Sequence, residues 1–164
     1  MTICIIPARS GSKRLKNKNI INFFGKPMVA HVIDIAKKSK LFSKIVVTTD
    51  SKKIAKISKK YGAETIIRNK TLSNDYATST AAVIDCIKKI SSQNEKYHCC
   101  IYPTAILTNP KNLVKSLRKI KKLNADHLIA ITDFEYPPAR SFKMIGKNWI
   151  NFTNKKYANM RSQD

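Results

Sequence analysis

The segment TICIIP (Thr2–Pro7), followed by ARSGSKRLKNKN (8–19), decides the fold. A short apolar run stops at a proline and opens into glycine, serine and cations, as a buried strand does when it ends in a loop. Outward from it the chain alternates. Residues 27–38 place Met28, Val29, Val32, Ile33 and Ala36 on one helical face, and Pro27 suits a first turn. Residues 44–49 (KIVVTT) are β-branched and strand-like, and Asp50 is placed to cap the helix after them. That helix buries Ile54, Ile57 and Tyr61, and Gly62 is placed to end it.

Five more elements follow before the rhythm breaks. Residues 64–67 predict a strand, and 79–91 a helix burying Val83, Ile84, Ile87 and Ile90. Residues 98–102 predict a strand, 109–123 a helix with Leu113, Val114, Leu117 and Ile120 inward, and 127–132 a fifth strand. Strands alternating with helices of this length imply βαβ units, hence a Rossmann-like three-layer α/β/α fold with a mainly parallel sheet. Right-handed crossovers then gather the loops after the strands along one edge, where ligands bind. From Tyr136 the pattern changes to Pro137-Pro138 and a short hairpin around Gly146. The 164 residues are read as one domain, 1–164.

The net charge of +22 invites a nucleic-acid partner, since clustered cations attract phosphate backbones. Against that, 26 of the 32 basic residues are lysines spread along every segment, many on polar helix faces such as Lys37–Lys38, Lys52–Lys53, Lys59–Lys60, Lys88–Lys89 and Lys121–Lys122. There is no zinc spacing, no aromatic RNA-binding signature and no single basic helix stripe. Nucleic acid is therefore not the expected partner, although a basic nucleic-acid-binding protein stays open as an alternative class. No apolar run approaches the roughly 20 residues of a membrane span. Pro7 and Arg9 interrupt the early apolar stretch, so no secretory signal is read and a cytoplasmic location is expected. Cys4, Cys86, Cys99 and Cys100 form no Cys-x-x-Cys pair and are read as buried, reduced thiols.

The chemistry lies in the loop after the first strand. Arg9, Lys13, Arg14, Lys16 and Lys18 fall within ten residues, and Gly11 with Ser12 lets backbone approach a ligand closely. Such a turn offers a triphosphate both cations and N–H donors. Its spacing is neither Gly-x-x-x-x-Gly-Lys-Ser/Thr nor Gly-x-Gly-x-x-Gly. The plain alternative is a solvated basic turn.

The stretches IIPARSGSKRLKNKNI, GKPMVAHVI, VVTTD and YGAE resemble the cytidylyltransferases that activate nine-carbon sialic-type acids. The usual loop of that family reads PARGGSKR followed by KN, and Ser10 stands here where the family has glycine. CCIYPTA (99–105), DFEYPPAR (133–140) and RSQD (161–164) resemble the branch acting on pseudaminic acid.

The resemblance implies a nucleotide-diphospho-sugar transferase fold and attack of a sugar acid's anomeric hydroxyl on the α-phosphorus of CTP, with Mg²⁺ as cofactor. It implies that Arg9, Ser12, Lys13, Lys18 and Asn19 handle the phosphates, with Lys18 and Arg9 catalytic, and that Pro7 and Ala8 lie against cytosine and ribose. Arg68, Ser73, Asp75 and Thr80 would close over the nucleotide, and Pro103, Thr104, Arg140 and Arg161 would meet the sugar acid. The competing readings are a helix or turn cap for Ser73, a strand end for Thr104 and plain surface for Arg140. The family's metal-binding aspartates, part of its sugar pocket and its homodimer contact are expected beyond residue 164, so the chain is expected to be the N-terminal, CTP-binding part. N-acetylneuraminic or legionaminic acid as substrate, or an inactive fragment, remain alternatives.

Overall fold

The computed structural model describes residues 2–12, 15–73, 77–90, 95–133, 141–145, 147 and 149–157. Two compact units result, 1–126 and 127–164. The first is built on β1 (Thr2–Pro7), whose residues from Thr2 to Ile6 are all buried. Parallel partners flank it: β4 (Phe42–Thr49), with Ile5 beside Val46 and Pro7 beside Thr48, and β6 (His98–Cys100), with Cys4 beside Cys99. Strand β5 (Glu64–Ile67) adds to β4, so the sheet order is β5-β4-β1-β6. A small antiparallel hairpin, β2 (Asn22–Phe23) with β3 (Lys26–Pro27), lies between β1 and the first helix. Gly25 at φ 79° makes its turn, a backbone state glycine enters freely.

Helices cover both faces because successive strand residues point to opposite sides. Cys4 and Ile6, with Ala8 just past the strand, face one way and pack against Val29, Val32, Ile33 and Ala36 of α1 (Met28–Ser39) and Ile54 of α2 (Lys52–Lys60). Leu113 of α4 (Pro110–Leu123) joins that cluster. Ile3, Ile5 and Val46 face the other way, against Cys86, Val83 and Ile87 of α3 (Ser79–Ile90). The three-layer α/β/α architecture with a parallel sheet is thus as expected. The paired lysines named above are all exposed, consistent with solvated helix faces.

Several local readings change. Ser51, not Asp50, caps α2, its hydroxyl accepting from the Ile54 amide at 3.3 Å. The chain has to turn once more after β4 before a side chain can reach the helix's open amides. Gly62 does end α2, at φ 81° with its amide donating to the Lys59 carbonyl. Ile84 points outward, 46% exposed, while Ala82 and Cys86 take the buried face of α3. Cys100 is exposed and Cys99 half-buried, because β6 is the sheet's edge among the described residues. All four thiols are free, and burial pushes Cys99 up to about 11 and Cys86 up to about 12, which keeps both protonated.

In the second unit, 127–132 forms no strand, and Ile129 and Ile131 are exposed. A β-prone run becomes a strand only when a partner supplies its ladder, and no described segment pairs with this one. The expected hairpin is present as β7 (Phe142–Ile145) against β8 (Trp149–Phe152), with Phe142 stacked on Phe152 at 4.5 Å between ring centroids.

Ile33 and Ile84 separate the two sides of this packing. Ile33→Ala should lower unfolding free energy by about 2–5 kcal/mol by opening a cavity, whereas Ile84→Ala should stay within about 0.5 kcal/mol. Urea denaturation of both variants checks the assignment; equal losses would contradict it.

Candidate nucleotide site

In the sheet order β5-β4-β1-β6, the chain winds from β1 to one side and later returns to the other. The reversal falls between β1 and β6, and open parallel sheets bind ligands outside the carboxyl ends of the strands at such a point. The loops leaving β1 (8–19) and β6 (101–109) flank it. The ends of β4 and β5 add Asp50 and Arg68.

The β1 loop is tied at several points. The Ala8 amide donates to the Thr48 carbonyl at 3.0 Å, and Ala8 itself is wholly buried in the core. Asn19, 5% exposed, donates its side-chain amide to the Arg9 carbonyl at 2.8 Å. The Ser10 amide donates to Asp50 Oδ1 at 2.8 Å and the Ser10 hydroxyl to Oδ2 at 2.6 Å. The Ser12 amide returns to the Ser10 carbonyl at 2.8 Å, and a Cβ placed on Gly11 would meet nothing within 4 Å. Backbone at the turn is therefore open to close approach. Past it, Lys18 begins a short 3-10 helix (Lys18–Ile20), half-buried, and Arg9 and Ser12 are half-buried too.

Arg68 stands just past β5, its amide on the Thr49 carbonyl at 2.9 Å and its Nε donating to the Ser73 hydroxyl at 3.0 Å. Only 6% of it is exposed. Burial pulls its pKa below the ordinary value, against the opposing pull of Asp50, and the charge of Arg9 adds to the lowering. Asp50 shows the converse. Burial acts to raise its carboxyl, but the Ser10 hydroxyl and amide, with Arg68, outweigh that and leave it below its ordinary value. Arg68 thus feels the charges of both Arg9 and Asp50 where three strands end.

The remaining expected site residues are placed unevenly. Pro7 ends β1, half-buried. Thr80 lies exposed in the first turn of α3. Pro103 is buried and Thr104 exposed in the turn after β6. Lys13, Asp75, Arg140 and Arg161 lie outside the described residues. Among the described residues no group of three or more His, Cys, Asp or Glu could hold a metal ion. The carboxylate beside the loop, Asp50, already has both oxygens engaged with Ser10. The described residues therefore do not build a magnesium site.

Sequence reasoning missed the Ser10–Asp50 contact and the Asn19 tie. One signal for the first was available: Asp50 directly follows a predicted strand of the parallel sheet, so it belongs at the same edge as the loop after β1.

The fold and this loop define an α/β protein of the nucleotide-diphospho-sugar transferase type. Residues 3–160 match the cytidylyltransferase family, and the chain belongs to it. It is 44% identical over 165 residues to a pseudaminic acid cytidylyltransferase of Campylobacter jejuni, covering 99% of this chain and 71% of that protein. It is 37% identical to a Helicobacter pylori protein named pseudaminic acid cytidylyltransferase and UDP-2,4-diacetamido-2,4,6-trideoxy-beta-L-altropyranose hydrolase, covering 99% of this chain and 31% of that one. The fold is similar to CMP:2-keto-3-deoxy-manno-octonic acid synthetase solved with CTP, at TM-score 0.66 and 22% identity over 76% of this chain and 48% of that one. A cytidylyltransferase of Leptospira borgpetersenii superposes at TM-score 0.60 and 22% identity, over 74% of this chain and 49% of that one. The chain spans about half the length of these two solved structures.

The depressed Asp50 carboxyl has a consequence for stability. Its folded-state pKa lies below the unfolded value of about 3.9, so its contribution is present above that pH and is lost as pH falls through the folded-state value. Asp50→Asn should lower stability at neutral pH and flatten the acid limb, so that the two profiles converge as the pH falls through the folded-state value. Chemical denaturation from pH 7 to pH 2.5 measures it, and superimposable acid limbs would contradict the assignment.

Proposed function

We propose that this chain binds CTP and transfers its cytidylyl group to a nine-carbon sialic-type sugar acid, pseudaminic acid in the first instance, giving a CMP-sugar and pyrophosphate. One observation carries the reading: in a chain of the cytidylyltransferase family, the cationic β1 loop stands at the switch point of the sheet with its Gly11 backbone open. The names of the relatives, two of which include pseudaminic acid, support the choice of acceptor.

The reaction is a displacement at phosphorus. The anomeric hydroxyl oxygen of the sugar acid bonds to the α-phosphorus, the bond to the bridging oxygen breaks, pyrophosphate departs with that electron pair, and the hydroxyl proton is released. The protein's share is positioning and neutralising charge on the transferring and leaving phosphates. Arg9 can meet phosphate oxygens bidentately and Lys18 as a point charge, and the open turn at Gly11 lets backbone come close. Arg68 holds a buried positive charge at the same sheet edge, felt by Asp50 and Arg9. A divalent cation, Mg²⁺ by this proposal, would travel with the triphosphate, because the described residues do not make a site for it. Ser12 and Lys13 complete the phosphate loop in this reading, and Asn19, turned inward, shapes it through the Arg9 carbonyl instead of meeting a phosphate. Pro7 borders the nucleoside, whereas Ala8 is packed into the core and does not; Ser73, Asp75 and Thr80 would border its far side, and Pro103, Thr104, Arg140 and Arg161 the sugar acid. The chain is taken as the CTP-binding part of a cytoplasmic homodimeric enzyme.

Calorimetric titration with CTP, and pyrophosphate release on adding Mg²⁺ and pseudaminic, N-acetylneuraminic or legionaminic acid, test the proposal. Arg9→Ala and Lys18→Ala should each weaken CTP binding by about tenfold or more, the scale of one charge-assisted hydrogen bond, with little change in thermal midpoint. Unchanged affinity in both variants would remove the loop from the nucleotide site.

A further inference from the structure

Asp50 poses a problem that the phosphate-binding role of the loop does not solve. It places a carboxylate against a turn whose other side chains attract anions, and like charges disfavour each other. Its two oxygens are nonetheless committed to one residue forty positions earlier, Ser10, through both the amide and the hydroxyl. On the strength of the proposed CTP role, we infer that Asp50 is a positioning residue that clamps the phosphate loop open, with Ser10 as the residue it grips.

The surrounding contacts support the clamp. Once Ser10 is pinned, its carbonyl takes the Ser12 amide and the chain must turn at Gly11, whose outer side is clear. One residue earlier, the Arg9 carbonyl is held by buried Asn19. The single peptide unit joining Arg9 to Ser10 is therefore fixed at both ends by side chains from outside the turn, its carbonyl by Asn19 and its N–H by Asp50, and ligand binding need not order it. Asp50 also offsets charge repulsion at this edge: the charges of Arg9 and Arg68 oppose each other, and the carboxylate attracts Arg68. The third contribution belongs to this chain's own sequence. Where similar loops carry glycine at position 10, only the amide bond to Asp50 would remain; the Ser10 hydroxyl adds a second, charge-assisted one.

Two effects of Asp50 on CTP oppose each other, so the variants must separate them. Asp50→Asn keeps an acceptor for the amide and a partner for the hydroxyl but removes the charge. Asp50→Ala removes both contacts. If clamping dominates, Ser10→Gly should raise the Kd for CTP by about 3- to 10-fold and Asp50→Ala by about 10- to 100-fold, the range for hydrogen bonds to a charged group. Asp50→Asn should change it by less than about threefold. CMP, which lacks the outer phosphates, should lose far less in each variant. Ser10→Gly combined with Asp50→Ala should bind CTP as Asp50→Ala alone does, since the two act through one contact.

A readout without nucleotide accompanies these titrations: hydrogen exchange at the Ser10 amide should accelerate by about tenfold or more in Asp50→Ala. An unchanged exchange rate overturns the clamp whatever CTP does. A CTP-to-CMP affinity ratio equal to wild type in Asp50→Ala, or an Asp50→Asn loss as large as that of Asp50→Ala, overturns it as well. Failure of the wild-type chain to bind CTP would instead count against the functional reading, with the exchange experiment still deciding the clamp. Should Asp50→Ala not fold, Ser10→Gly carries the nucleotide titrations, and a CTP-to-CMP affinity ratio equal to wild type in that variant overturns the clamp.

Discussion

The structure depends on β1 being paired in parallel on both sides. Its backbone donors and acceptors are taken up by β4 and β6, and its side chains are buried on both faces, Cys4 and Ile6 under α1, Ile3 and Ile5 under α3. A strand so enclosed has one place to release a loop to solvent, its carboxyl end. Parallel neighbours end there as well, so Asp50 and Arg68 arrive at the same edge as Arg9 and Ser10. The site follows from the pairing of the central strand.

Electrostatics at that edge differ in kind from those of the surface. Most of the excess positive charge stands on exposed helix faces such as Lys52, Lys53, Lys59 and Lys60 of α2, where water and salt screen it. Arg68 is almost wholly buried and Asp50 partly so, and there each charge is felt strongly by its neighbours. A total of +22 therefore says little about the ligand. Three groups brought together at low exposure, on loops from three strands, say much more.

Asn19 and Ser10 illustrate how a binding loop is organised by residues that do not themselves face a ligand. Asn19 falls within the basic run, but its side-chain amide is turned inward to the Arg9 carbonyl. Ser10 departs from the loop pattern of similar proteins, yet it carries two of the hydrogen bonds that hold the loop in place. A rigid turn of this kind needs less ordering when an anion arrives, which favours affinity without adding contacts to the anion.

The amino-acid sequence by itself determined the alternation of strands and helices through 123, the end of α2 at Gly62, the hairpin near 146 and the cationic loop after β1. All of these rest on local periodicity, turn chemistry or charge within a few residues, which a chain expresses without reference to distant segments. Tertiary structure alone decided that 127–132 finds no strand partner among the described residues, that Ile84 turns outward where Cys86 turns in, that Asp50 grips Ser10 instead of capping α2, and that Arg68 is buried where the charges of Arg9 and Asp50 reach it. Each is a matter of pairing or packing between segments tens of residues apart. Backbone ladders and buried charges are satisfied only by such non-local partners, and no window of sequence contains them.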